Sequence, residues 1–307
     1  LWEQLEATGL ADALLSEDAG GAGLGLGQVF GVLEQCGAHA LPLPLGETMV
    51  ARALLAQAGV ARPAGSIALA RGEHLANGGL RCALVRSGQV AAAVLVQTGT
   101  EWRLLNTADA QGAAQALALD AALTWTAVQV QAAPAVEVNG ALDVRTLQAA
   151  VVAAQMAGAL SSVFQRSLQY ANERQQFGRP IGKFQAIQHQ LAVMSEHVFA
   201  ARMAAQLGCS AGHDGMGVVP DRLRVATAKA RCSEAALVVS ELAHAIHGAI
   251  GFTEEYDLQL FTRRLHAWRQ TAGSEAYWYG VAGEALLHHQ GMTLDIVRRI
   301  TDVDTVL

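Results

Sequence analysis

Apolar residues along this chain follow three rhythms. From Trp2 to about Ala61 they return at helical spacing, with Val29, Val32 and Leu33 on one face and Val50, Ala53 and Leu54 on another. The glycine-rich stretch Gly20 to Gly27 and the prolines Pro42 and Pro44 interrupt that pattern, which predicts a small helical domain over residues 1–63. From Ser66 to about Val138 the period shortens. Leu80 to Val85 and Gln89 to Val96 flank a Ser87-Gly88 turn, Trp102 to Leu105 follows, and Leu123 to Val130 alternates through Trp125 and Val128. This predicts a compact β domain, a barrel or sandwich, over residues 64–139. After Gly140 the helical period returns in four long, alanine-rich segments: Thr146 to about Asn172, Gln185 to Gly208, Asp221 to His247, and Ser274 to His289. Separated by glycine or proline, they predict an antiparallel four-helix bundle over residues 140–307. The expected fold class is mainly α with a small β domain.

Composition narrows the function classes. The 307 residues can bury a large core without disulfide staples, and 52% are hydrophobic although only 5% are aromatic, so alanine, leucine and valine carry the apolar content. Twenty-one basic against 27 acidic residues leave a net charge of −6, which argues against nucleic acid or an anionic membrane as partner. No continuous apolar run approaches the ~18 residues of a membrane span. Cys36, Cys82, Cys209 and Cys232 are scattered without a CxxC pair, which suggests neither zinc nor a disulfide framework and fits a reducing, cytoplasmic setting. Leu1 to Leu10 lacks the layout of a signal peptide.

Several candidate motifs have ordinary readings. No frame of Gly20 to Gly27 gives GxGxxG and no strand precedes it, so a loop rich in positive-φ positions is expected there. His244 and His247 lie three apart, and His288 and His289 close the last helix, but further ligands are not in view and no metal is expected. Trp278 and Tyr279 are expected in the bundle core or at a subunit interface. The segment Tyr170 to Gln185 is more specific. A long helix ends there, Gly178 and Pro180 force a turn, and Arg174 stands beside Phe177 where the next helix begins. A guanidinium that can fork onto a phosphate, next to a flat ring at a helix junction, suits a nucleotide; a solvated arginine and a core phenylalanine capping two helices is the alternative.

The run YANERQQFGRPIGKFQAIQHQLAVM, Tyr170 to Met194, resembles the bundle-domain signature of acyl-CoA dehydrogenases. Trp2 to Leu26 resembles the family's early helical segment with its glycine loop, Val32 to Gly37 its next helix, and His247 to Glu255 with Arg263 and Arg264 its second glycine motif. The resemblance implies FAD between the β domain and the bundle, with its adenosine half held by a neighbouring subunit. It implies that Arg174 meets the FAD pyrophosphate, that Phe177 packs near the flavin nucleotide, and that Ile181, Phe184, Gln185 and Ile187 line the adenine end. His247 and Gly248 would offer backbone to the diphosphate of the other chain, and Ser274, where the family has Thr, a hydroxyl to FAD. The implied activity is α,β-desaturation of an acyl-CoA thioester in a homo- or hetero-oligomer, a dimer or tetramer, with electron-transfer flavoprotein as acceptor. Such a reaction needs a desolvated base of raised pKa and hydrogen bonds to the thioester oxygen.

The chain departs from the family at the base. Ala272 occupies the place of the usual glutamate, and Arg145 that of the alternative glutamate. Glu275 and Asp143 are the nearby acids, each also readable as a helix-start residue. Ala245 replaces an expected glutamine, Ala249 the second glycine of its pair, and the β region is short for the family. Three readings follow: an FAD-dependent acyl-CoA dehydrogenase whose base comes from a partner, a non-catalytic subunit that keeps the fold, and a flavoenzyme of the same superfamily with another substrate.

Overall fold

A computed structural model of the chain describes residues 1–117, 119–138, 140, 142–210 and 218–302. The first rhythm becomes helices α1 (Trp2–Glu6), α2 (Phe30–Ala38) and α3 (Leu45–Gln57), and within the glycine loop Gly20 and Gly23 take positive φ. The second becomes strands β1 (Ile67–Arg71), β2 (Glu73–His74), β3 (Leu80–Val85), β4 (Ala93–Thr98), β5 (Glu101–Asn106), β6 (Gln111–Ala114) and β7 (Ala121–Trp125). Helix α4 (Ala127–Ala132) closes that region. The third becomes α5 (Val144–Glu173), the two-residue strands β8 (Gln175–Gln176) and β9 (Arg179–Pro180), α6 (Gln185–Cys209), α7 (Arg222–His247), α8 (Leu258–Gln270), α9 (Glu275–His288) and α10 (Thr293–Thr301).

Leu1–Val29 and Leu41–Val151 supply the greater part of one compact unit; the other takes Phe30–Ala40, Val152–Ser210 and Asp221–Leu307. The expected boundary residue 139 lies outside the described residues.

In the first unit two sheets, β1-β4-β5 and β2-β3-β7-β6, share one core, in which Ala68, Val94 and Val96 of one face Leu80, Cys82, Leu123 and Trp125 of the other. The sequence placed Leu80 to Val85 and Gln89 to Val96 on either side of a single turn. The structure corrects this: β3 and β4 lie in different sheets, because after Ser87, at φ 57°, the segment is tied elsewhere. Ser87 N–H donates to Asp120, and Gln89 N–H to the Leu119 carbonyl. The alternation read through Val128 also ends early. Thr126 and Gln129 form a reciprocal cap that turns the chain from β7 into α4.

Both edges of the three-stranded sheet are closed. Along β1, Ile67 N–H donates to Thr48 (2.9 Å) and Leu69 N–H to Glu47 (2.8 Å), two buried residues of α3. Gln148 of α5 donates to the Leu69 carbonyl. Burial raises the pKa of Glu47, and the Arg86 guanidinium at 3.7 Å opposes that rise. Along β5, Leu104 N–H donates to Pro134 and Val136 N–H to Trp102, so residues 134–136 cover the other side.

In the second unit α5, α6, α7 and α9 are the expected bundle. Asp221 caps α7 by accepting from Leu223 and Arg224 N–H (2.9 Å each), and Ser274 caps α9. Helix α8, which the four-segment reading omitted, buries Leu258, Phe261, Leu265 and Trp268 at helical spacing. Although neither is a continuous apolar run, α5 and Arg222–Phe252 have the length and composition of membrane-crossing helices, and 83% of the α5 window is buried within the protein.

Helices α2 and α5 meet through glycine. A Cβ on Gly37 would stand 1.8 Å from the Gln155 carbonyl oxygen, and one on Gly158 at 1.8 Å from that of Glu34. The crossing is therefore a backbone-to-backbone approach that no side chain fits. Gly158→Ala is expected to lower stability by about 2 kcal/mol or more through forced separation of the helices. Gly280→Ala on α9, where a Cβ meets nothing within 4 Å, should raise it by about 0.5–1 kcal/mol. Urea denaturation midpoints of the two variants check both signs.

Candidate functional site

Helix α5 runs 30 residues and then stops in a two-residue hairpin. Phe177 (φ 51°) and Gly178 (φ 79°) are both left-handed, the geometry of a tight reversing turn, and β8 pairs with β9 through Gln175 with Pro180 and Gln176 with Arg179. Ile181 N–H donates back to the Arg174 carbonyl at 2.8 Å, which ties the hairpin to the helix end. Phe177 is 91% exposed at the tip and sits edge-on to Phe184, while the Arg179 guanidinium lies 4.2 Å over the Phe184 ring. Gln185 and Ile187 form the first turn of α6 beyond it.

Across from the hairpin, α7 ends at His247. Gly248 takes φ 64° and a short 3-10 turn, Gly248–Phe252, follows. Between these two ends lies a cleft of about 600 Å³, lined by Tyr170, Arg174, Gln176 and Ile181 on one side and Ala245 to Ile250 on the other. The sequence reading assigned Arg174 and the pair His247-Gly248 to nucleotides of different chains; here they line one cleft of one chain. Phe177, Phe184, Gln185, Ile187 and Ser274 are not part of its lining.

The floor of the cleft is aromatic. His247 stacks on Tyr170 at 4.5 Å and leans on Tyr256 at 5.0 Å. Its Nδ1 faces the Ala243 carbonyl at 2.7 Å, so Nδ1 carries the proton, and Nε2 is buried without a partner. Burial lowers the pKa of His247 and keeps the ring neutral. His244 turns away to Thr262 and Phe252. Arg174 is exposed and has no ion pair among the described residues. A guanidinium with five donors and no protein anion, an aromatic floor, and open space where a Gly248 side chain would be suit the anionic, flat-ended nucleotide half of a dinucleotide such as FAD.

The second locus is the turn between α8 and α9. Thr271 ends α8, Ala272 (φ 57°) and Gly273 (φ 103°) are left-handed, and the Ser274 hydroxyl accepts from Tyr277 N–H as the cap of α9. Trp278 is fully buried and its indole N–H donates to the Ala272 carbonyl at 3.0 Å; Tyr279 is half-exposed and bonds Glu234. Glu275, the acid next to Ala272, is held in a two-point ion pair by Arg269. That guanidinium lowers the Glu275 pKa, the reverse of what a base for a carbon-bound proton requires. Asp143 caps the start of α5, accepting from Arg145 N–H and the Thr146 hydroxyl.

Sequence reasoning missed Tyr170 as the stacking partner of His247, and missed the buried Lys229, which donates to Ser233, Arg269 and Gly273. Tyr170 opens the quoted motif; Lys229 is the one lysine in the alanine-rich α7.

Comparison with known proteins agrees with this architecture. Residues 143–287 match the family model of the acyl-CoA dehydrogenase C-terminal domain. The acyl-CoA dehydrogenase IpdE2 of Mycolicibacterium smegmatis is 31% identical over 278 residues, covering 89% of this chain and 83% of that protein. Among solved structures, the ChsE4-ChsE5 complex of Mycobacterium tuberculosis superposes with a TM-score of 0.79 at 23% identity over 94% of this chain and 88% of that one. A variant of the Tcur3481-Tcur3483 steroid ACAD gives 0.76 at 27% identity over 93% and 88%.

The ion pair at Glu275 is open to test. Its folded pKa lies below the ordinary 4.5, so its contribution is present above that value and is lost as the pH falls through the folded pKa. Glu275→Gln should lower stability at neutral pH by about 1–2 kcal/mol. The gap to wild type should close well below pH 4.5, as read from urea midpoints across the acid range.

Proposed function

The chain belongs to the acyl-CoA dehydrogenase family, and from that premise we propose that it binds FAD and serves α,β-desaturation of an acyl-CoA thioester in an oligomer whose catalytic carboxylate comes from a partner chain. The observation that carries this reading is the cleft that brings an unpaired Arg174 to face His247 and Gly248, in a chain whose base position is Ala272. Arg174 binds the diphosphate, Tyr170 and Ile181 give the nucleotide an apolar wall, and Gly248 leaves room for a close approach. Ser274 offers its hydroxyl, while Phe177, Phe184, Gln185 and Ile187 present the hairpin side of the junction to the rest of the cofactor. Bound FAD supplies the acceptor for a hydride from the β-carbon. The methyl of Ala272 takes no proton, so the α-proton passes to a carboxylate base outside this chain. Removing a general base typically costs 10²- to 10⁴-fold, which sets what the partner must restore.

Support for a mixed assembly comes from the structural relatives named for two components each, ChsE4-ChsE5 and Tcur3481-Tcur3483; the second is described as a steroid ACAD, which brings a polycyclic acyl thioester into the test beside a straight-chain one. In this proposal residues 1–63, 64–139 and 140–307 act as helical, β and bundle domains in the cytoplasm, and electron-transfer flavoprotein takes the electrons. The ion-paired state of Glu275 favours the second reading, a non-catalytic subunit that keeps the fold.

Purification of the chain alone and with the product of a neighbouring gene decides between them. Flavin absorbance that bleaches anaerobically with an acyl-CoA only when the partner is present is the expected result. Arg174→Gln should weaken flavin retention by about 10- to 100-fold, the loss of one charge-assisted contact. A pair that carries no flavin leaves the non-catalytic subunit standing.

A further inference from the structure

Lys229 is fully buried in α7, and its three donors are all engaged. Nζ donates to the Ser233 hydroxyl at 2.8 Å, to the Arg269 carbonyl at 2.9 Å and to the Gly273 carbonyl at 2.9 Å. Two of these acceptors bracket the left-handed pair Ala272-Gly273, and the turn between them has little freedom. A Cβ on Gly273 would meet Tyr277 Cδ1 at 2.7 Å and Trp278 Nε1 at 2.9 Å. A buried cation that bonds backbone carbonyls on both sides of a strained turn acts on the conformation of that turn.

We propose that Lys229 is a positioning residue whose ammonium holds the 271–274 turn, and with it the Ala272 methyl and the Ser274 hydroxyl, and relaxes that hold when it gives up its proton. That the turn belongs to a flavin site rests on the function proposed above; that Lys229 governs the turn does not.

The hydrogen-bond geometry serves both protonation states. The ammonium spends three N–H bonds on three acceptors, while the Ser233 hydroxyl reaches the Arg269 carbonyl at 3.4 Å. The neutral amine keeps two N–H bonds for the carbonyls and takes the third contact from the Ser233 hydroxyl, turned to donate. Every polar group remains satisfied, yet the hold weakens, because bonds from a charged donor are about twice as strong as neutral ones. The surroundings poise the group for this exchange. Burial pushes the Lys229 pKa down to about 7, the Glu275 carboxylate on α9 favours the charge and Arg269 on α8 opposes it, while Cys232 on the same helix, its thiol pushed up to about 12 by burial, is uncharged in this range. Arg231 on α7, bonded to His197 of α6, opposes the rise of the Cys232 pKa, and burial likewise pushes Cys209 of α6 up to about 12.

Trp278 reports on the turn directly, because its indole N–H donates to the Ala272 carbonyl. With the five tryptophans labelled at the indole nitrogen and Trp278→Phe used to assign its resonance, the signal is followed across the neutral pH range in the full chain, its flavin content recorded separately. The Trp278 resonance should titrate with a midpoint near 7 in wild type and not in Lys229→Met. Ser233→Ala, which removes one acceptor and spares the lysine, should move the midpoint down by about half a pH unit or more. A flat signal in wild type, a titration that persists in Lys229→Met, or a Ser233→Ala midpoint equal to that of wild type overturns the proposal. None of these outcomes depends on whether flavin is bound.

Discussion

The site depends on one helix stopping where it does. Thirty residues of α5 could carry Arg174 onward along their axis, away from the end of α7. Instead, Phe177 and Gly178 adopt left-handed backbone in succession, and the chain reverses within a two-residue turn. A non-glycine residue at positive φ is strained, and here it is an aromatic one that remains exposed at the tip. Ile181, just past the return strand, donates its N–H to the Arg174 carbonyl, so the arginine is fixed at its backbone while its side chain has no ion pair among the described residues. Tyr170, one turn earlier on the same helix, stacks on His247 and so aligns the two helix ends that face each other across the cleft.

Much of this was legible in the sequence. The four bundle helices begin within two residues of the expected positions, and at two of them, Asp221 and Ser274, a readable cap marks the start. The turn at Gly178 and Pro180 was legible for the same local reason. What escaped was long-range or needed a partner. Alternation shows which face of a strand is buried but not which strand lies beside it, so β3 and β4 looked like neighbours while their partners were β7 and β1. Thr126 and Gln129 carried a readable capping signal that the Trp125 alternation overshadowed. The stacking of Tyr170 on His247 joins positions 77 residues apart, and the burial of Lys229 is set by three helices together; no local pattern encodes either.

The turn at Ala272 combines a methyl at its bend with a firmly held frame. A carboxylate there would have needed a desolvated setting, and the chain has instead given Glu275 to Arg269 and placed a methyl at the bend. Around that methyl the backbone is held from several sides, by the Trp278 indole, by the Ser274 cap and by Lys229. A methyl at the bend is therefore not accompanied by a slack backbone around it.

The closed edges of the β1-β4-β5 sheet limit how this chain can associate. On one flank, hydroxyl and carboxylate groups of α3 occupy the backbone N–H groups that a visiting strand would need; on the other, residues 134–136 already lie in that place. Sheet extension by a foreign strand is thereby barred at both margins. Recognition on those flanks falls to the shape and chemistry of side chains, which discriminate between companions far more finely than the uniform ladder of a polypeptide backbone.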